Sequence, residues 1–265
     1  MHYAPYDHHL GKITYDRQGN ETWNLSIASD NYLYAPRDII SEIKQPELIK
    51  EIVFAAGSDF YHYDNVGGTT TKGTQMEYQS KYETVYRRGL QLNVDVINYL
   101  RTIAPVRVVE VRGNHDWQSV FTIFEALECA FANTEDVAFE RAVNGRAYHF
   151  DGYTLVGYTH GDDVALANLS GVMAVESAHF HKAKQREWIT GHFHKEKLAV
   201  KKLAVYADHD KGVTKRIIKA MCGSDDWHSK KAYIASNPGT EAFLRCSEKG
   251  LINHLYRPSN FYNDI

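Results

Sequence analysis

The sequence has little cysteine and little proline. Only three cysteines and six prolines occur among its 265 residues. The cysteines Cys129, Cys222 and Cys246 are odd in number and widely spaced, which argues against a disulfide framework and against a thiolate zinc site. A metal bound by this chain would therefore be held by nitrogen and oxygen atoms.

Long apolar runs are also missing. No stretch reaches the roughly 18 apolar residues of a membrane-spanning helix, and the first residues, MHYAPYDHHLGK, lack the features of a signal peptide. A chain of this length with 43% hydrophobic residues can bury a core, which excludes a disordered protein. No internal repeat or linker-like segment occurs. We expect one soluble, cytoplasmic domain over residues 1–265.

The chain also lacks a global excess of positive charge, since its formal net charge is −3. Nonspecific DNA binding is usually accompanied by a strong basic surplus. One local exception is the segment 195–219, which has eight basic and three acidic residues. This segment could follow a phosphate backbone, or it could be the solvated face of a strand.

Apolar runs alternate with helical patterns through the first two thirds of the chain. The pattern predicts strands at 52–56, 106–111, 146–150, 153–159 and 187–190. Helices are predicted from Thr74, through a capping-box spacing to Glu77, to about Thr102, and over 118–131 and 172–186. Residues 195–265 read as short antiparallel strands that complete a second sheet. The fold class is α/β, a two-sheet β-sandwich flanked by helices.

Histidine is unusually frequent, with 14 copies, and several of them follow predicted strands. Ligands of open α/β sheets bind beyond the carboxyl ends of the strands. Five strand ends carry Asp, Asn or His: Asp7-His8-His9, Gly57-Ser58-Asp59, Gly113-Asn114-His115-Asp116, His160-Gly161-Asp162 and Gly191-His192-Phe193-His194. This mixture of carboxylate, amide and imidazole suits Mn²⁺, Fe or Zn²⁺. The number of ligands suffices for two divalent ions that share one Asp.

The motif order DxH, Asp59, GNHD, a lone His and GHxH resembles the calcineurin-like metallophosphoesterase superfamily over about residues 5–195. The resemblance implies a four-layer α/β/β/α fold and two divalent ions, Mn²⁺ first, with Fe, Zn²⁺ or Mg²⁺ as alternatives. It assigns one ion to Asp7, His9, Asp59 and His194, and the other to Asp59, Asn114, His160 and His192.

The same resemblance implies that His115 protonates the leaving oxygen and that Asp116 orients its ring. His62, in Asp59-Phe60-Tyr61-His62, is similar to the extra catalytic histidine of SbcD-type nucleases. Ser58 departs from the family pattern, which usually has glycine before the shared Asp. A further similarity, to phosphoesterases of phages and prophages, would place the protein in the cytoplasm of an infected bacterial host.

Several other polar residues have two interpretations. Trp227 and His228 could stack a base or line the cleft, or Trp227 could anchor its loop to the core. His179 and His181 copy the HxH spacing, but they lie in a helical pattern and are interpreted as surface or packing residues. His8 should point away from Asp7 and His9 if the chain is extended there.

We therefore expect a two-metal phosphodiesterase that acts as a DNA nuclease. The alternatives are a cyclic-nucleotide or oligonucleotide phosphodiesterase, a phosphomonoesterase and a non-catalytic binding scaffold. The expected partner is DNA or a nucleotide substrate, with no membrane. SbcD-type nucleases work with an ATPase docked through helices beyond the catalytic core. The last residues show no such amphipathic helix, so an ATPase partner is not expected.

Overall fold

The structure, a computed structural model, describes residues 1–16, 18–192, 206–210, 212–223 and 238–259. These residues form a mixed α/β fold with four α-helices. The helices are α1 (Leu25–Ser41), α2 (Tyr82–Leu100), α3 (Trp117–Ala130) and α4 (Leu169–Glu176). The strands are β1 (His2–Ala4), β2 (Thr14–Tyr15), β3 (Glu21–Trp23), β4 (Ile52–Gly57), β5 (Val106–Val111), β6 (Val137–Glu140), β7 (Ala147–Phe150), β8 (Thr154–Thr159), β9 (Gln185–Thr190), β10 (Tyr206–Asp210), β11 (Val213–Ile217), β12 (Gly239–Cys246) and β13 (Gly250–Pro258).

A six-stranded sheet has the order β13-β12-β1-β4-β5-β6. Strands β1, β4, β5 and β6 run parallel to one another, while β12 is antiparallel to β1 and β13 is antiparallel to β12. The side chains of β4 are all buried, as the continuous apolar run at 52–56 predicts for a strand covered on both faces. The carboxyl ends of β1, β4 and β5 consequently meet at one edge of this sheet.

A five-stranded sheet has the order β10-β11-β9-β8-β7. Strands β8, β9 and β11 are parallel, and β7 and β10 are antiparallel strands at the two edges. Strand β8 is buried along its whole length. The carboxyl ends of β8 and β9 are therefore adjacent.

One apolar cluster lies between the two sheets. It joins Ala55 and Val109 of the six-stranded sheet to Val156 and Ile189 of the five-stranded sheet. A second cluster packs α1, α2 and α3 on the six-stranded sheet, and a third packs α4 on the five-stranded sheet. The two sheets are thus held face to face, which brings their strand ends together. Among the described residues, no helix is long and apolar enough to cross a membrane.

Two predicted helix boundaries are wrong. Helix α2 begins at Tyr82, because the predicted capping residue Thr74 forms a local turn in which Thr70 N–H donates to the Thr74 carbonyl. The predicted helix at 172–186 is replaced by α4, which ends at Glu176, and by β9, which begins at Gln185. Pairing of β9 with β8 and β11 outweighs the weak helical pattern of that segment.

The carboxy-terminal strands divide between the sheets. Strands β10 and β11 lie in the five-stranded sheet, whereas β12 and β13 extend the six-stranded sheet, so the prediction that residues 195–265 complete only the second sheet is wrong for β12 and β13. Strand β12 pairs with β1, with Tyr3 opposite Ala242. This pairing covers the backbone groups along an edge of β1 that would otherwise be free.

Candidate metal centre

Five polar strand ends meet at one side of the two stacked sheets. Asp7 and His9 follow β1, Asp59 follows β4 and Asn114 follows β5 in the six-stranded sheet. His160 and His192 follow β8 and β9 in the five-stranded sheet. Because the carboxyl ends of neighbouring parallel strands lie side by side, each sheet contributes one row of ligands.

Two groups of these side chains could hold a metal ion. The ligand atoms of Asp7, His9 and Asp59 all lie within 4.8 Å of one another, and so do those of Asp59, His160 and His192. Asp59 belongs to both groups. The structure thus brings together residues that the sequence analysis placed in two sets joined by this carboxylate.

The second group is the more fully defined. His160 Nε2 lies 3.0 Å from Asn114 Oδ1, 3.1 Å from His192 Nδ1 and 3.1 Å from Asp59 Oδ2. Two ligand atoms that each lie roughly 2.1 Å from the same ion are about 3 Å from one another. Four ligand atoms from both sheets therefore converge as a divalent cation requires. The side chains fit a metal.

Asp59 and His160 are buried and oppositely charged. Burial alone would raise the pKa of Asp59, but the charges of His160 and His115 lower the pKa below its usual value. Burial would likewise lower the pKa of His160, yet the charge of Asp59 raises it to about 10. Without a metal the two side chains form an ion pair. A cation bound here would take the place of the proton on His160 Nε2.

The ligand-bearing loops contain unusual backbone conformations. Outside glycine, a positive φ costs on the order of 1–3 kcal/mol and is kept only where the surroundings impose it. In the described residues, five of the six such positions lie at these strand ends: Asp7, His9, Ser58, Asp59 and His192. The strain is concentrated where the side chains must converge.

Glycine beside the ligands lets the carboxylates contact the backbone. A Cβ at Gly113 would lie 2.0 Å from Asp59 Oδ1, and one at Gly191 would lie 2.6 Å from Asp7 Oδ2. The freed space allows the His115 N–H to donate to Asp59 Oδ1 over 2.8 Å. The glycines of the GNHD and GHxH motifs are therefore needed for the placement of the two aspartates.

His115 is held by a backbone carbonyl. Its Nδ1 donates to the carbonyl of His62 over 2.8 Å, so the other ring nitrogen, Nε2, faces Asp59, with Oδ2 at 3.9 Å. A carbonyl only accepts hydrogen bonds, which fixes a proton on Nδ1. The predicted site residue His115 therefore presents Nε2 to the centre.

Asp116 does not have the predicted contact with the His115 ring. Its carboxylate is buried and accepts the N–H of Tyr61 over 3.0 Å and the N–H of Gly113 over 3.1 Å. The prediction that Asp116 orients His115 is wrong, because both of its oxygens are engaged by backbone amides. Asp116 instead fastens the GNHD turn to the loop that follows Asp59.

His62 lies beside the first group of ligands. Its Nδ1 is 3.2 Å from His9 Nδ1, and its ring stacks on that of His115 with centroids 5.5 Å apart. The three imidazoles of His9, His62 and His115 form a further group that could hold a metal ion. The predicted residue His62 is thus within the site.

The other histidines near the motifs have separate roles. His8 packs against Trp23 and Phe60 in the core, and burial lowers its pKa to about 3. Asp7 and His9 both have a φ of 52°, so the chain there is not extended, which was the condition for the predicted direction of the His8 side chain. His179 and His181 are exposed, as predicted, on turns after α4 and not within a helix.

Three predicted residues, His194, Trp227 and His228, lie outside the described residues. A polar pair near His160 is not among the predicted site residues. Lys72 Nζ lies 3.7 Å from Asp162 Oδ2, two residues after His160. The position of Asp162 in the segment that follows β8 could have indicated that it lies near the site.

Comparison of the chain with known protein families and with curated proteins gives no match.

Proposed function

We propose that this protein is a two-metal phosphodiesterase of the calcineurin-like metallophosphoesterase superfamily, with its four-layer α/β/β/α fold. The observation that carries the proposal is the convergence of two ligand groups from two stacked sheets on a shared carboxylate, Asp59. Helices packed outside both sheets support the layer order. A single metal held for structural purposes would need only one of the groups.

The proposed ligands of one ion are Asp7, His9 and Asp59, with His194 as a fourth. Those of the other ion are Asp59, Asn114, His160 and His192. Their carboxylate, amide and imidazole atoms favour Mn²⁺, with Fe, Zn²⁺ and Mg²⁺ as alternatives. When bound, two such ions lower the pKa of a water and neutralise charge on a phosphoryl group.

The proposed general acid is His115. The His62 carbonyl holds Nδ1, so Nε2 is the nitrogen that can deliver a proton to the departing oxygen of the diester. The ring is partly accessible at the site, whereas Asp116 is fully buried and cannot reach a substrate. Asp59 restrains the same segment through the His115 N–H.

DNA is the leading substrate class. His62 lies against both His9 and His115, the position from which a third imidazole could contact a diester. The basic surplus of residues 195–219 also favours a polyanion. A cyclic or short nucleotide, or a phosphomonoester, is the second candidate. The net charge of −3 favours it, because a small ligand needs no long basic groove.

The proposal is tested by a substrate panel. Single- and double-stranded DNA, a cyclic dinucleotide, a chromogenic diester and a chromogenic monoester are each assayed with Mn²⁺, Mg²⁺ and Zn²⁺. Diester cleavage that requires metal and is fastest with Mn²⁺ supports the proposal. A metal-loaded protein that hydrolyses none of the substrates would point to the non-catalytic scaffold.

A matched pair of variants tests the acid. We expect His115→Asn to lower kcat at least 100-fold, as loss of a general acid does, while metal content by elemental analysis stays unchanged. His181→Asn, at an exposed histidine, is the control and should keep wild-type activity. Full activity of the His115 variant would show that another group protonates the leaving oxygen.

A further inference from the structure

Ser58 stands directly before Asp59 and contacts a ligand of the other sheet. Its side chain is fully buried, and its Oγ lies 2.9 Å from His160 Nδ1. The second ring nitrogen, Nε2, is the one that meets Asn114 and Asp59. Ser58 therefore contacts Nδ1 of the His160 imidazole, while Nε2 faces the other ligands.

We propose that Ser58 is a positioning residue whose hydroxyl selects Nε2 of His160 as the metal-binding nitrogen. This inference rests on the proposed metal centre. A neutral imidazole that binds a cation through Nε2 carries its proton on Nδ1, and this N–H needs an acceptor. Ser58 Oγ provides it from 2.9 Å, the role that outer partners of metal-binding histidines usually have.

Backbone hydrogen bonds hold Ser58 in place independently of His160. The Ser58 N–H donates to the carbonyl of Val111 at the end of β5, and the Ser58 carbonyl accepts from the Asp7 N–H over 2.8 Å. Ser58 is thus tied to the strand ends on both sides of β4. A Cβ at Gly191 would lie only 3.2 Å from Ser58 Oγ, so the space around the hydroxyl is also limited.

The conformation of Ser58 argues that the side chain is needed. Its φ is 58°, a left-handed value that glycine adopts without strain. A position with this backbone would be easier to form with glycine. Serine is more strained than glycine in this conformation, but it adds a hydrogen bond to His160.

Two substitutions separate the hydroxyl from the backbone strain. Ser58→Ala removes the hydroxyl and keeps a side chain at positive φ, while Ser58→Gly removes both. Affinity for Zn²⁺ and Mn²⁺ is measured by competition with a chelating dye. We expect both variants to lose 10- to 100-fold in affinity at one of the two ions, as changes to outer ligand partners do. The matched control is Ser29→Ala, at a buried serine of α1.

A second readout is the protonation pattern of His160. In the Zn²⁺-loaded wild type, ¹⁵N NMR should show a single His160 form with the proton on Nδ1. In both Ser58 variants we expect this single form to be lost. Activity is not required for either readout, so a wrong substrate assignment would leave the result unaffected.

The possible results are distinct. Unchanged affinity and an unchanged ring in Ser58→Ala would overturn the inference, while metal-dependent cleavage by the wild type would keep the proposed function. Loss in the Ala variant with full affinity in the Gly variant would assign the effect to strain and also overturn it. A wild type that binds no metal would overturn both proposals. If the Ala variant does not fold, the Gly variant decides.

Discussion

At the scale of single residues, Asp59 is constrained by both its backbone and its side-chain contacts. It has an unusual φ of 58°, it accepts the N–H of His115, and its other oxygen lies 3.1 Å from His160 Nε2. A buried carboxylate needs compensation for lost hydration. A backbone amide and an imidazolium provide it in the metal-free protein, and cations can replace the imidazolium proton.

Metal binding should therefore release a proton. The pKa of His160 is raised to about 10 from an ordinary 6.5, so the metal-free ring is protonated at neutral pH. Metal affinity should rise up to tenfold per pH unit below pH 10. Calorimetry at pH 7.5 in buffers of different ionisation enthalpy should detect about one proton released for each protein loaded. His160→Asn should abolish that release, and a buffer-independent heat in the wild type would contradict the assignment.

The same ion pair makes a pH-dependent contribution to the stability of the metal-free protein. The raised pKa of His160 stabilises the fold fully below pH 6.5, and this contribution is lost as the pH rises through about 10. The lowered pKa of Asp59 gives a contribution that is present above pH 3.8 and is lost on further acidification. Between these limits both charges are present.

At the scale of elements, a distant loop holds the beginning of α3. The N-cap residue Asp116 makes no side-chain capping bond. The buried carboxylate of Asp64 instead accepts the N–H of Gln118 over 3.1 Å and the N–H of Ser119 over 2.8 Å. Because α3 follows the GNHD turn directly, this remote cap also fixes the segment that carries Asn114 and His115.

We expect Asp64→Ala to lower the free energy of unfolding by about 1–3 kcal/mol, because two helical N–H groups lose a buried partner. Urea denaturation measures the change. Glu135→Ala, at an exposed acidic residue, is the control and should alter stability by less than about 0.5 kcal/mol. Equal stability of both variants would show that water or another group can cap α3.

The loops after β4 and β5 are packed too closely to accept a methyl group. We expect Gly113→Ala to displace Asp59 and to reduce metal affinity at least tenfold, because the new Cβ would lie 2.0 Å from Asp59 Oδ1. Gly171→Ala is the matched control, since its Cβ would meet nothing within 4 Å and alanine favours the helix α4. Dye competition measures the affinity. Wild-type affinity in the Gly113 variant would mean that the loops can move to accommodate the methyl group without displacing Asp59.

At the scale of the whole molecule, the ligands link two sheets. Asp7, Asp59 and Asn114 follow strands of the six-stranded sheet, and His160 and His192 follow strands of the five-stranded sheet. Between the sheets lies one apolar cluster. An ion held by residues of both sheets requires the correct stacking, so its binding free energy adds to that of folding.

Metal should therefore raise the stability of the whole fold. At a free Mn²⁺ concentration of 100 times Kd, the free energy of unfolding should increase by about 2.7 kcal/mol for each site. Thermal unfolding followed with and without a chelator tests this. Asp59→Asn should lose most of the increase, because it weakens both groups, whereas Glu135→Ala should keep it. A melting temperature that Mn²⁺ does not change in the wild type would argue against a site between the sheets.

The sequence by itself determined the strands with continuous apolar runs and the residues that follow them. Residues 52–56 and 106–111 are predicted as buried strands and form β4 and β5, and Gly beside Asp, Asn or His at their ends indicates close backbone approach. The sequence did not predict α1, whose helical pattern contains Pro36, although Asn24 supplies a side-chain cap to Ile27 N–H. A local sequence pattern predicts an element well where its apolar residues have the spacing of that element and no residue such as proline interrupts it.

Only the tertiary structure decided which partner each polar group found. The carbonyl of His62, not Asp116, orients His115, and Ser58 of one sheet contacts His160 of the other. It also decided that β12 pairs with β1 and so joins the six-stranded sheet. The physical reason is common to these cases. Hydrogen bonds across sheets and loops depend on distances of about 3 Å between residues far apart in the chain, which no local pattern encodes.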